Sequence, residues 1–333
     1  MILRKYNSID LMKIIMSICV VAIHTEPLNN CTNKLALNIF DSVVRMAVPF
    51  FFVVSGFLLA SKFDDDFSSD HNIDIVKKTL IRIMKLYVLW TIIYLPMTMV
   101  HFLLEKKSIL HNFVDFIRGF IFIGQQYNSW PLWYLLSTIY SLCLILLILK
   151  LKLNRKILLT IGFVFLIFST GVSWFVSYTG TMPYSLTLVQ KALSYTIVTG
   201  RIFTGAFYIP LGIYLQKKEM PVSICTTMLV LGFILSIFTT SFVIDIVLLV
   251  VSITGLLGVV VKWQLKDNSI YPILRRMSTV IYFVHMYVWT GYYMIVYQTK
   301  TYGFDSFVIT VVVSVLIAMS YCWIKMKLHQ EYQ

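Results

Sequence analysis

Asp10, Lys13 and His24 stand within the first apolar stretch of the chain, where hydrocarbon cannot solvate them. An ionisable side chain in a run of membrane length is costly to bury and normally faces protein or a wet cavity, so each is a candidate for chemistry. At 100° per residue, the eleven-residue step from Lys13 to His24 makes three turns plus about 20°, which puts both on one face, roughly 16 Å apart along the axis. Asp10 falls within about 60° of Lys13 on the same face. A cation at one end of such a face can hold phosphate oxygens, and an imidazole at the other can move a proton near neutrality. Glu26 and Pro27 follow closely enough to orient that ring. A plainer account also holds: Lys13 snorkels to head groups, Asp10 is its exposed neighbour, and His24 bonds a carbonyl at the interface.

Further along, Arg45 precedes the aromatic run Val48-Pro49-Phe50-Phe51-Phe52, which ends in Ser55-Gly56. The small pair lets another helix approach closely, a packing role. Trp133 and Tyr134 stand at one end of an apolar run, as an aromatic belt or as a wall on which a sugar stacks. Arg201 opens another run, and His285 lies inside Tyr282-Phe283-Val284-His285, about two turns from one end of its span. Such a histidine is more often a satisfied bundle residue than a catalyst. The chain has no phosphate-binding glycine loop, no Gly-x-Ser-x-Gly elbow and no His-Glu-x-x-His pair. Its five cysteines suggest neither a disulfide framework nor a metal-ligand spacing, so no metal is expected.

These residues must be positioned by membrane helices. With 59% hydrophobic and 13% charged residues and a mean hydropathy of +0.81, the surface is wrong for water, and the bilayer is the solvent. Apolar runs recur that can cross a hydrocarbon core of roughly 30 Å, and no alternating barrel-type segments appear. The expectation is an all-α polytopic bundle of about ten spans, a single transmembrane domain over residues 1–333 without a soluble domain. The spans fall at 8–27, 39–61, 79–104, 131–150, 156–177, 200–216, 220–239, 242–261, 277–297 and 305–325. Two weaker segments, 109–124 and 184–199, read as interfacial or re-entrant helices.

The net charge of +13 follows topology, since the basic residues sit in short clusters between apolar runs and offer nucleic acid no domain to bind. One side receives Arg4, Lys5, Lys77, Lys78, Arg155, Lys156, Lys217, Lys218, Arg275 and Arg276 among others. The other keeps Lys34, Lys106, Lys107, Arg118, Lys191, Arg201 and Lys300. That asymmetry predicts a multi-pass cell-membrane protein with both termini cytoplasmic. Arg45 then enters from the outer side, near the depth of His24.

Taken together the segments resemble the acyltransferase-3 family over nearly the whole chain. The matching pieces are Ile9-Asp10-Leu11-Met12-Lys13 with His24, Arg45 with Val48-Pro49-Phe50-Phe51-Phe52 and Ser55-Gly56, and Leu132-Trp133-Tyr134-Leu135. Gly200-Arg201 with Phe207 and Gly212, and Ile281-Tyr282-Phe283-Val284-His285, complete the set. The family usually has Arg where this chain has Lys13, which keeps the charge without the guanidinium fork. In form the motifs look closest to small stand-alone acetyltransferases and to the membrane domain of vancomycin-resistance serine racemases; a racemase domain would require several hundred further residues after the last span. The resemblance implies transfer of an acetyl or similar acyl group from cytoplasmic acyl-CoA, a donor substrate and not a bound cofactor, to a glycan or other hydroxyl-bearing acceptor. His24 would be the base, Asp10, Lys13 and His285 the acyl-CoA and charge-relay residues, and Glu26, Arg45, Trp133, Tyr134 and Arg201 the acceptor-binding residues. Expected partners are acyl-CoA, the acceptor and the lipid bilayer, with a homo-oligomer open. A transporter or exporter of a small polar substrate, and a non-catalytic membrane partner subunit, are the rival readings.

Overall fold

The computed structural model describes residues 6–105, 108–297 and 302–331, and Arg4, Lys5, Lys106, Lys107 and Lys300 of the charge pattern lie outside them. Among the described residues every regular element is helical: α1 (Asn7–Thr25), α2 (Lys34–Val44), α3 (Ala47–Ala60), α4 (Asp70–Glu105), α5 (Ile109–Arg118), α6 (Leu132–Lys150), α7 (Arg155–Ser177), α8 (Tyr184–Thr196), α9 (Gly205–Leu215), α10 (Val222–Phe238), α11 (Phe242–Lys262), α12 (Ile270–Tyr292) and α13 (Phe304–Glu331). Short π-helical turns follow α5 and α12, and a 3₁₀ turn at Arg201–Phe203 precedes α9. Asn33, Ser108, Asn154 and Ser241 cap α2, α5, α7 and α11 with their side chains, satisfying amides that the first helical turn leaves open.

Among the described residues seven helices are long and apolar enough to cross a membrane, with α2 and α3 counted as one span across the Arg45–Met46 break. Three of the ten expected spans fall short of that standard. The run at 200–216 is one arm of a pair with α8, bent by 59°, a broken span or a re-entrant loop. The run at 220–239 forms α10, which is only 17 residues long. The run at 277–297 belongs to α12, where Arg275, Arg276, His285 and several tyrosines dilute the apolar residues. α4 starts nine residues before the expected span, so Asp70 and Asp74 are helical and the preceding connector is shorter than the sequence suggests.

The chain divides into two compact units, Met1–Phe51 with Met220–Gln333, and Phe52–Glu219. In the first unit, the start of α1 is tied to the end of α11: Ser8 Oγ donates to Val260 O at 2.6 Å and Asn7 Nδ2 to Asp267 Oδ1 at 2.9 Å. The far end of α1 is tied to the start of α13, where Gly303 N donates to Thr25 O at 3.0 Å. α1 and α12 run parallel, α13 runs against both, and Val21, Ile281 and Ala318, each fully buried, form the seam among the three. α10 and α11 form a close hairpin, in which a Cβ on Gly255 would lie 2.5 Å from Cys225 O.

In the second unit α9 is buried along nearly its whole length. Glycines allow its neighbours to come within backbone distance. A Cβ on Gly56 would collide with Ile209 O, one on Gly212 with Val53 O, and one on Gly162 would lie 2.7 Å from Ala206 O. Close backbone approach through small residues is how helices associate where lipid removes the hydrophobic drive.

Candidate functional site

His24 sits in the last turn of α1, and His285 lies on α12 directly beside it. The two imidazoles stack with ring centroids 5.3 Å apart and planes 19° apart. His285 is fully buried. Its Nδ1 lies 3.1 Å from Ile281 O; a carbonyl only accepts, so Nδ1 carries the hydrogen and Nε2 presents a lone pair. That Nε2 is buried without a hydrogen-bond partner. Buried polar atoms are nearly always satisfied, and an exception on a histidine stacked against a second histidine makes the pair a candidate for proton chemistry. Tyr282 packs edge-on to His285 at 6.4 Å and to Phe51 at 5.7 Å, closing the pair on that side with aromatic surface.

From the start of α12 at Ile270, fifteen residues carry His285 roughly 22 Å along the axis, about two turns of which lie inside the expected span. The helix starts seven residues before the expected span, because Arg275 and Arg276 lie inside it. Its Nδ1 is satisfied as in a bundle histidine, while Nε2 has no hydrogen-bond partner among the described residues.

At the other end of the α1 face, Asp10 is buried and its Oδ1 lies 3.4 Å from Arg275 Nε. Lys13, half-buried, shares the electrostatic field of Asp10 and Arg275. Glu26 is exposed and takes a left-handed conformation (φ 45°) that ends α1, its amide bonding Ala22 O. Among the described residues its carboxylate accepts no hydrogen bond from the His24 ring, whose stacking partner is His285. Arg45 ends α2 and grips Asp245 of α11 through both terminal nitrogens, while its Nε donates to Asp41 O at 3.3 Å.

In the second unit, the Arg201 guanidinium lies over the Trp133 ring at 5.0 Å and donates to Gln125 Oε1. Trp133 and Tyr134 both pack on Phe52, with centroids at 5.9 and 4.5 Å, and the Tyr134 hydroxyl is 3.1 Å from Ser55 Oγ. Trp133 and Tyr134 are therefore packed into the second unit, with the Arg201 cation over the Trp133 face. Serines hold the turn that carries Arg201: Ser169 Oγ donates to Gly200 O at 3.0 Å, Ser137 Oγ to Ile202 O at 2.6 Å, and Gly205 N to Ser137 Oγ at 3.1 Å. Gly200 adopts φ 69°, a conformation that suits glycine, as the turn begins.

Asp245, Gln125 and Arg275 escaped the sequence reading as site partners. Asp245 lies in the first turn of an apolar span, and the rule that singles out Arg45 would have found it. Gln125 and Arg275 carry no such mark, since one is neutral and the other reads as a topology charge.

An all-helical chain whose apolar helices span membrane length and hold an imidazole pair is an integral membrane protein with a candidate proton-transfer site. It belongs to the acyltransferase-3 family: the family model described as an acyltransferase domain matches residues 6–323. The chain is 32% identical over 219 residues to an amino-acid racemase of Enterococcus faecalis, covering 64% of this chain and 30% of that protein. It is 28% identical over 235 residues to a serine/alanine racemase of Enterococcus gallinarum, covering 68% of this chain and 31% of the relative. The chain thus spans about a third of the length of the curated relatives it matches. No solved structure matches it.

Proposed function

We propose that the chain moves an acetyl or similar acyl group from cytoplasmic acyl-CoA to a hydroxyl of an extracytoplasmic or lipid-linked glycan, within a cell membrane that it crosses about ten times with both termini cytoplasmic. The observation that carries this reading is the stacked His24–His285 pair in a chain whose family is one of acyltransferases. His24 takes the proton of the acceptor hydroxyl as that oxygen attacks the thioester carbonyl. The C–S bond then breaks, and the CoA thiolate takes up that proton as it leaves. His285 is a positioning residue: its neutral ring fixes the plane of His24 from behind. Lys13, in the electrostatic field of Asp10, and the basic clusters on its side bind the CoA phosphates. In the second unit Trp133, Tyr134 and Arg201 are acceptor-binding residues, the aromatic faces taking the apolar side of a sugar ring, and in the first unit Glu26 and Arg45 are given the same role.

The test is label transfer from radiolabelled acetyl-CoA into envelope glycan, in membranes holding wild-type chain or His24→Ala at matched amounts. Transfer should fall by about 10²-fold or more in the variant, the contribution of a positioned general base; transfer that survives the substitution defeats the reading. The similarity to amino-acid and serine/alanine racemases favours one second reading, the passage of an amino acid. Its signature is uptake of labelled L-serine into vesicles that depends on the chain, with no label transfer.

A further inference from the structure

On α2, Asn38, Asp41 and Arg45 recur at steps of three and four residues and so share one face. Asn38 Nδ2 donates to Ile237 O at 3.0 Å, fastening that face to the end of α10. Between them and the α10–α11 turn lies a cavity of about 320 Å³, lined by Asn38, Asp41 and Arg45 on one side and by Thr239, Ser241 and Asp245 on the other. It lies wholly within the first unit. Because Ser8 at the start of α1 bonds Val260 near the end of α11, the α10–α11 turn falls at the opposite end of α1, the end that carries His24.

Beneath it a smaller cavity is lined by Ser42, Arg45, Asp245 and Ser252. Ser42 Oγ and Ser252 Oγ are buried there without a hydrogen-bond partner, in residues only 4% and 2% exposed. Two orphaned hydroxyls, one on α2 and one on α11, lining the same small cavity are unusual, and a polar ligand or a water beneath one would satisfy them.

The charges exclude an anionic ligand, and the hydroxyl, amide and aromatic lining narrows the class further. Asp245 already neutralises Arg45 through both terminal nitrogens, and Asp41's carboxylate is exposed with no partner among the described residues. The cavity therefore carries one uncompensated negative charge and a rim of hydroxyl and amide groups. A phosphate or a carboxylate would meet two carboxylates and would have to break the Arg45–Asp245 pair to find a cation. A neutral polyol meets only acceptors and donors that match its own hydroxyls, and Phe242 lines the same cavity with an apolar face. The volume, near the lower end of ligand cavities of roughly 300–1,000 Å³, suits a single sugar ring. We propose that this cavity between α2 and the α10–α11 turn binds one neutral hexopyranose unit, gripped by Asp41 and the Arg45–Asp245 pair. The acyl-transfer reading enters only in naming that sugar as part of the acceptor.

The experiment is saturation-transfer NMR on the full chain in detergent without any acyl donor, using glucose, galactose, mannose and N-acetylglucosamine beside L-serine and inorganic phosphate. At least one hexopyranose should bind, and Asp41→Ala should weaken it about tenfold, the loss expected of one charge-assisted hydrogen bond. Asp41 is exposed on a helix, so this variant should keep the wild-type melting temperature. Asp245→Asn, which releases Arg45, should lose the sugar and gain phosphate. Sugar binding unchanged in both variants, binding of none of the four sugars, or L-serine binding that is lost in Asp41→Ala would each overturn the proposal. His24→Ala should bind sugar as wild type does, so failure of transfer and failure of this site are separable.

Discussion

His285 combines full burial, a satisfied Nδ1 and an unsatisfied Nε2. A buried acceptor without a donor costs about 1–3 kcal/mol, so the fold gains nothing from that nitrogen. His285→Phe keeps an aromatic ring against His24 while removing it. The expected outcome is a melting temperature at or above that of wild type together with a ten- to hundredfold loss of acyl transfer, about the size of a lost positioning contact. Equal loss of stability and activity would instead make His285 a structural residue. Lys13 belongs to the other end of the same helix face, where it sits with Asp10 and Arg275. If it grips CoA phosphates, Lys13→Ala should raise the KM for acyl-CoA by about tenfold, the worth of one charge-assisted contact. Lys13→Arg should restore it, and a kcat effect with KM unchanged would remove the donor role.

Among the elements, α9 is the one on which the second unit depends, since α3, α6 and α7 all meet it through glycines or serines. Gly212 faces Val53 O and lies 2.8 Å in Cβ terms from Phe57 N, so any side chain there meets backbone that cannot rotate away. Gly212→Val should destabilise the unit by about 1–3 kcal/mol, the usual cost of overpacking. Thermal unfolding in detergent measures it, and an unchanged midpoint would mean that α3 and α9 separate easily. The sequence placed the Ser55-Gly56 step on a helix but not its partner, because the helix that meets a small residue is chosen by tertiary packing. The α2–α3 break at Arg45–Met46 was equally silent, since both halves are apolar enough to read as one span.

At the scale of the molecule, the first unit is assembled from both ends of the chain, Met1–Phe51 and Met220–Gln333. α1 runs parallel to α12 and antiparallel to α13, so the start of α1 and the end of α13 lie on the same side of that unit. Reporter fusions at the two ends should report one compartment, which the basic asymmetry of the loops predicts to be the cytoplasm. Reporters on opposite sides would contradict the helix directions in this unit.

The sequence alone determined the solvent, the helical class and the family, because hydropathy, charge asymmetry and short motifs are local properties that survive without neighbours. It also singled out Asp10, Lys13, His24 and Arg45, since an ionisable residue in lipid is conspicuous by type. Tertiary structure decided which of them meet: that His24 stacks on His285, that Asp10 faces Arg275, and that Arg45 is neutralised by Asp245, 200 residues away. No periodicity encodes those pairings. They depend on the direction and register of separate helices, which are set by where glycines let backbones close and where buried hydroxyls find carbonyls.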